Sequence, residues 1–287
     1  MDHSRLTAAA HVLMKSWDCH PDGEMFFSHS SLLWPVVSEG HACMLKVADP
    51  DDDEAYGADM LRHYGGRGAV RLVKSAGYAQ LMERIIDKTQ VPTLARRVLA
   101  GEANAATHII CDVIEQLHAA PAGEPLQHLI PFDTRQETLR EQVERGKTPQ
   151  DRRAQYQTAL SLGEELVAAT KADWQPLHGD VHHDNVLHSS SRGWLAIDPK
   201  GILGPRVYEY ANTLCNPYAA ADIVSSPKHM ERQAEIIVER SRVDKKQLLQ
   251  FAFLHALQCA AWSAGGDWKE YMHAIADTAA ELAGKGA

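Results

Sequence analysis

Three oxygen-bearing side chains fall close together in the second half of the chain. They are Asp180, Asn185 and Asp198, within Leu177-His178-Gly179-Asp180-Val181-His182-His183-Asp184-Asn185-Val186-Leu187 and Ile197-Asp198-Pro199-Lys200. Asn185 follows Asp180 by five positions and Asp198 follows it by eighteen. A carboxylate, an amide and a second carboxylate in this order suit transfer of a phosphoryl group. The first carboxylate positions an attacking hydroxyl and takes its proton, and the other two groups offer hard oxygen donors to Mg2+. Mg2+ keeps several of its waters, so few protein oxygens suffice. The adjacent His182 and His183 do not make a zinc site, which needs three or four ligands of matched geometry. No Gly-x-Ser-x-Gly elbow points to a hydrolase, and no Gly-x-Gly-x-x-Gly after a strand points to a dinucleotide fold.

The elements around these residues explain the spacing. Trp174 to His178 reads as a strand leading into the loop of Asp180. Val186-Leu187-His188 and Trp194-Leu195-Ala196-Ile197 flank Ser189-Ser190-Ser191-Arg192-Gly193, which is hairpin chemistry. Asn185 then ends the loop at the first strand, and the hairpin returns the chain so that Asp198 emerges beside it. The flanking segments are helical. Ala106, Ile109, Ile110, Val113, Ile114 and Leu117 recur at three- and four-residue steps over Ala105 to His118. Further helices are expected over Glu137 to Glu144, Ala154 to Thr170, Leu248 to Trp262 and Trp268 to Ala283, with a loop over Pro121 to Pro131.

The first third mixes strand and helix. Leu32 to Val37 and Ala42 to Val47 form a predicted hairpin around Ser38-Glu39-Gly40-His41, with Pro35 marking an edge or a bulge. Asp51 to His63 starts acidic, as a helix N-terminus favours, and Gly65-Gly66-Arg67-Gly68 ends it. Ala69 to Val73 and Ala79 to Glu83 read as two more strands.

His178-Gly179-Asp180-Val181-His182-His183-Asp184-Asn185-Val186-Leu187 resembles the His-Gly-Asp-x-His-x-x-Asn signature of aminoglycoside phosphotransferases. Gly193-Trp194-Leu195-Ala196-Ile197-Asp198-Pro199-Lys200-Gly201 resembles one branch of that family, the streptomycin 6-kinases and hydroxyurea phosphotransferases. Tyr208-Glu209-Tyr210-Ala211-Asn212, Gly66 to Leu72 and Ala260-Ala261-Trp262 also fit the branch. The resemblance runs from about Ser30 to Trp262.

It implies an α+β, bilobal protein-kinase-like fold. Residues 1–87 would be a β-rich nucleotide-binding lobe with a hinge near 83–89. Residues 88–287 would be a mostly helical lobe carrying the catalytic loop and substrate site. It also implies an ATP-dependent phosphotransferase acting on an alcohol group, with Asp180 as base and Mg2+ on Asn185 and Asp198. Lys46, at the end of a strand, would neutralise the ATP phosphates. Its acidic partner is Glu54 or Asp53, and the resemblance favours the glutamate. Ser30 and Ser31 stand where protein kinases carry a glycine-rich loop. Met82, Glu83 and Ile85 would meet the adenine at the hinge, through Glu83 C=O and Ile85 N–H with Met82 packed behind.

The acceptor would be a small molecule, with a cationic aminoglycoside first, streptomycin favoured, and antibiotic resistance the outcome. Asp267 and Glu270, following Trp262, are the acids that would meet its charges, and Trp262 would itself be a residue of the acceptor site. Asp222 is a further candidate. Hydroxyurea or another small metabolite is the alternative acceptor, and a nucleotide-binding pseudokinase is the alternative to catalysis.

Composition agrees with such an enzyme. With 287 residues, 45% of them hydrophobic, the chain can bury a sizeable core. A net charge of −9 repels nucleic acid and anionic membranes and attracts cations. Five scattered cysteines without a Cys-x-x-Cys pair predict neither a disulfide framework nor structural zinc. The start Met1 to Trp17 lacks the apolar run of a secretory signal, and no stretch reaches membrane-spanning length, so a cytoplasmic protein is expected.

Overall fold

The computed structural model describes residues 2–120 and 126–284. Of the loop expected over Pro121 to Pro131, residues 121–125 lie outside the described residues. The strands in chain order are β1 (Cys19–Pro21), β2 (Phe26–Phe27), β3 (Ser31–Ser38), β4 (His41–Ala48), β5 (Leu72–Ala76), β6 (Ala79–Glu83), β7 (Ile130–Pro131), β8 (Trp174–Leu177), β9 (Val186–Ser189), β10 (Gly193–Ala196) and β11 (Ile202–Pro205). The helices are α1 (His3–Ser16), α2 (Gly57–Tyr64), α3 (Leu94–Leu99), α4 (Ala103–His118), α5 (Glu137–Glu144), α6 (Arg153–Thr170), α7 (Tyr208–Leu214), α8 (Ala221–Val224), α9 (Pro227–Ser241), α10 (Lys245–Trp262) and α11 (Asp267–Gly284). The chain divides into two compact units. One comprises Met1–Val91, Glu115–Leu129 and Leu187–Gly201; the other comprises Pro92–Ile114, Ile130–Val186 and Ile202–Ala287.

The first unit is built on an antiparallel sheet of order β1-β3-β4-β6-β5, with β2 also on β3. Strand alternation decides its two faces. Leu32, Trp34 and Val36 of β3 and Cys43, Leu45 and Val47 of β4 pack with Leu6, Ala10 and Met14 of α1. The four-residue steps of that last trio put it on one side of α1. Met44, Lys46 and Ala48 therefore point to the opposite face. The β3–β4 turn has Glu39 and Gly40 at φ 52° and 78°, the two-residue hairpin geometry that matches strand twist.

Three expectations for this unit need correction. Pro35 marks neither an edge nor a bulge. It pairs with Met44 in β4, and on its other side it falls in the gap between the short strands β1 and β2. Asp22 N–H donates to its carbonyl there, at 2.9 Å, and no strand needs the N–H that proline lacks. The strand expected over Ala69 to Val73 begins at Leu72. Ala69 and Val70 are used instead in a bridge to β10, where Val70 N–H donates to Ala196 O at 3.1 Å and Ala196 N–H to Gly68 O at 2.7 Å. The helix expected over Asp51 to His63 opens as a short 3-10 turn, Asp53–Tyr56, capped by the Asp52 carboxylate on Glu54 N–H.

The second unit is centred on α10, which carries Leu248, Phe251, Leu254, Leu257 and Ala260 in the core. It packs against α5, α6, α7, α9 and α11. A small sheet of order β7-β11-β8 lies beside α7. Strand β11 was not anticipated from the sequence; Ile202-Leu203-Gly204-Pro205 is short and ends in Gly-Pro, a loop signature. Four cysteines are buried and Cys259 is partly so, all as free thiols. Among the described residues no helix is long and apolar enough to cross a membrane.

Candidate active site

In the first unit, Lys46 is the organising residue. It is only 1% exposed, and its Nζ donates to Glu54 Oε2 at 2.5 Å and to Asp198 Oδ1 at 2.9 Å. Burial pulls its ammonium down, but the Asp198 and Glu54 carboxylates outweigh this and hold it above its ordinary value. Burial likewise pushes the Glu54 carboxyl up, and Lys46 reverses the sign, with help from the Ser30 hydroxyl and the charge of Lys200. Ser30 Oγ donates to Glu54 Oε2 at 2.9 Å and Ser31 Oγ to the same oxygen at 3.4 Å. Lys46, Glu54, Ser30, Ser31 and Asp198 thus form one cluster. Glu54, rather than Asp53, is the acid that pairs with Lys46.

Asp198 has φ 57°, a left-handed conformation that costs a non-glycine residue about 1–2 kcal/mol. Strain of this kind collects where surrounding structure demands a particular side-chain direction. The next residue packs tightly against α2: a Cβ on Gly57 would come within 2.7 Å of Pro199 O. Lys200 acts on Asp52 and Glu54 through its charge.

Met82 is buried in β6 opposite Met44 and Leu72. Glu83 ends that strand, and its carboxylate accepts from Arg192 and from Arg71 N–H. Ile85 is half-buried just beyond, and its N–H has no partner among the described residues.

In the second unit, Asp180 sits on a loop tied down from below. Glu209, 1% exposed on α7, accepts His178 N–H at 2.8 Å and Gly179 N–H at 2.9 Å, one on each oxygen. Gly179 has φ 80°, and a Cβ there would meet Ile202 Cδ1 and Cγ1 at 2.5 Å. The Asp180 carboxylate is then gripped at both oxygens. Asn212 Nδ2 donates to Oδ1 at 2.9 Å, and Asn185 Nδ2 to Oδ2 at 3.1 Å and to the Asp180 carbonyl at 3.0 Å. An ionised carboxylate has about four acceptor sites over its two oxygens, more than these two amide donors occupy. The Asn185 amide nitrogen is committed to Asp180, so Oδ1 is the atom it can offer a cation. Asp198 likewise offers a carboxylate oxygen. Hard oxygens of this kind fit Mg2+.

His183 is buried, and desolvation pushes it down to about 3, so it is neutral near pH 7. Among the described residues no group of three or more His, Cys, Asp or Glu is arranged to hold a metal. Trp262 ends α10, 41% exposed, with the Arg135 guanidinium 4.7 Å from its ring centroid. Asp267 and Glu270 lie in the first turn of α11, and Asp222 in the first turn of α8.

The family model for aminoglycoside/hydroxyurea antibiotic resistance kinases matches residues 16–266. The chain belongs to this family. A streptomycin 3″-kinase of Klebsiella pneumoniae is 35% identical over 270 residues, covering 93% of this chain and 96% of the relative. A hydroxyurea phosphotransferase of Kitasatospora aureofaciens is 30% identical over 73% of this chain and 61% of its own. A streptomycin 6-kinase of Streptomyces glaucescens is 26% identical over 90% of this chain and 82% of its own.

Among solved structures, aminoglycoside phosphotransferase APH(4)-Ia in complex with ADP and hygromycin B superposes with a TM-score of 0.67 at 16% identity. The match covers 96% of this chain and 98% of the other. An ethanolamine kinase of Plasmodium vivax gives 0.64 at 14%, covering 98% and 90%. The kinase therefore has the α+β protein-kinase-like fold expected from its motifs. It is a phosphotransferase with an alcohol group as acceptor.

Sequence reading gave no place to His255, whose Nε2 lies 3.1 Å from Asn212 Oδ1 and whose Nδ1 lies 3.1 Å from the Tyr208 hydroxyl. His255 lies within the apolar run Phe251 to Leu257 and reads as core; a polar ring in such a run was the available signal.

Proposed function

We propose that the kinase transfers the γ-phosphoryl group of ATP to a hydroxyl of streptomycin, with the 3″-hydroxyl favoured, and so confers resistance. The observation that carries this reading is the Asp180 carboxylate, held at both oxygens by amide donors and backed by the Glu209 clamp. In this reading residues 1–87 bind the nucleotide, 83–89 are the hinge and 88–287 carry the acceptor site. Ile85 N–H and Glu83 C=O meet the adenine, and Met82 packs behind. Lys46, oriented by Glu54, neutralises phosphate charge, and Ser30 and Ser31 line the phosphate loop. Asn185 and Asp198 would hold Mg2+, which when bound supplies further positive charge on the phosphates.

Asp180 accepts a hydrogen bond from the acceptor hydroxyl. As the hydroxyl oxygen forms its bond to the γ-phosphorus, the bond from that phosphorus to the oxygen of ADP breaks. The hydroxyl proton passes to Asp180. Positioning and charge, rather than covalent chemistry by the protein, supply the acceleration.

The 3″ position is favoured because similarity to the 3″-kinase, at 35% identity, exceeds that to the 6-kinases, at 26% and 24%. Hydroxyurea is the second acceptor reading, supported by the 30% identical relative. The intact set of Asp180, Asn185, Asp198 and Lys46 argues against a pseudokinase. ADP release with Mg2+-ATP against streptomycin, other aminoglycosides and hydroxyurea tests the reading, with phosphorus NMR of the product locating the phosphate. Stimulation by streptomycin, lost in Asp180→Ala, is expected. Stimulation by hydroxyurea alone, or phosphate on another hydroxyl, would replace the acceptor assignment.

A further inference from the structure

Behind Asp180 runs a line of buried polar groups on α7 and α10 that meets the carboxylate only through Asn212. An ionised carboxylate only accepts hydrogen bonds. The Asn212 atom 2.9 Å from Asp180 Oδ1 is therefore the donor Nδ2. That assignment makes the other end of the amide, Oδ1, an acceptor. Two groups reach it: Asn216 Nδ2 at 2.8 Å and His255 Nε2 at 3.1 Å. Asn216 divides its amide between this oxygen and the Asn212 carbonyl at 3.1 Å. His255 must bring an N–H, so its proton sits on Nε2. Nδ1 of the same ring lies 3.1 Å from the Tyr208 hydroxyl. In a neutral ring with Nε2 protonated, Nδ1 accepts and the phenol donates. Cys259, one turn along α10, is a weak second contact of Nε2 at 3.5 Å.

Exposure is 7% at Asn212, 5% at His255 and 2% at Tyr208, so water would not repair a turned amide. Were the Asn212 amide reversed, its oxygen would face the Asp180 oxygen, acceptor against acceptor. We propose that His255 and Tyr208 are positioning residues for phosphoryl transfer. His255, as the Nε2–H tautomer oriented by the Tyr208 hydroxyl, locks the Asn212 amide with its N–H groups toward Asp180 and so holds that carboxylate in its working direction. The inference rests on the reading of Asp180 as the base.

The test has two arms. Long-range 1H–15N spectra of histidine-labelled protein at pH 7 should show His255 neutral with Nε2 protonated, its signals assigned by their loss in His255→Gln. An Nδ1–H tautomer or an imidazolium overturns the proposal, and this arm needs no acceptor. In the kinetic arm, with streptomycin, His255→Leu should lower kcat about 10- to 100-fold, by analogy with the loss on removing the partners that orient metal-ligating side chains. The KM for ATP should not change. His255→Gln, whose amide N–H can serve Asn212, should recover most of the loss, and Tyr208→Phe should fall between. A folded His255→Leu protein with the wild-type kcat overturns the proposal, as does a His255→Gln protein as slow as the leucine variant. Asp180→Ala alongside separates the two readings. Retained turnover there removes the base itself, whereas its loss beside an unaffected His255→Leu removes only the relay.

Discussion

Lys46 Nζ lies 2.9 Å from Asp198 Oδ1, although 152 residues separate the two in the chain. The same ammonium holds Glu54, so one buried cation joins β4, the turn before α2 and the segment after β10. The two acids would repel each other without it.

Lys46→Met should therefore destabilise the fold as well as stop the chemistry. Breaking a fully buried ion pair costs about 3–5 kcal/mol. Glu54 and Asp198 keep 17% and 22% exposure, so a smaller loss of roughly 2–3 kcal/mol is expected after that discount. Urea denaturation measures it. Adding Glu54→Gln to Lys46→Met should recover part of the loss, as contacting residues do not act additively. Additive losses would show that the two side chains are not coupled.

The same cluster sets a pH window. Glu54 titrates below its ordinary 4.5 in the folded chain. Its stabilising contribution is complete above 4.5 and drains away as pH falls through the lower folded value. Lys46 is raised above its ordinary 10.5, so its contribution is complete below 10.5 and is lost as pH climbs through the folded value. Stability measured by urea unfolding should decline at both ends, and Glu54→Gln should flatten the acid limb. An acid limb unchanged in that variant would assign it to other carboxylates.

Glu209→Ala removes the acceptor of two buried N–H groups. Each donor left unpaired costs about 1–3 kcal/mol, so a loss of roughly 2–6 kcal/mol is expected for the two. Turnover should fall with it, because the loop that presents Asp180 loses its anchor. Glu209→Gln, which keeps one acceptor oxygen, should lie between. Thermal unfolding monitored by circular dichroism ranks the three proteins, and equal melting of all three would show that the clamp carries no stability.

Gly179→Ala should cost about 1–3 kcal/mol through its positive φ and more through the collision with Ile202. Ile202→Ala combined with it should relieve the collision but not the backbone strain. A double variant no more stable than the sum of the singles predicts would place the whole cost in the backbone.

Asp267→Asn and Glu270→Gln test the acceptor acids. Exposed charge pairs are worth about 0.2–1 kcal/mol, so each variant should raise the streptomycin KM by roughly 2- to 5-fold and leave the ATP KM alone. The effect should shrink at high salt. An unchanged streptomycin KM in the double variant would remove these acids from the acceptor site.

Much of this was legible along the chain because it depends on local pattern. The alternation of Leu32 to Val37 and Ala42 to Val47 and the Glu39-Gly40 turn define a hairpin that needs no distant partner. The three-to-four spacing of the long helices is equally local, as are the chemical types of Asp180, Asn185 and Asp198. Other features depend on groups meeting from far apart in the chain. The choice of Glu54 over Asp53 turns on which carboxylate reaches Lys46, and neighbours in sequence look alike until a strand face is opposed to them. Ala69 and Val70 have strand composition, but Ala196 competes for their hydrogen bonds. His255 resembles core residues in type and surroundings. Its meaning appears only when α7 packs on α10, because burial then forces each polar atom to find a partner, and the partners fix the direction of every proton in the line.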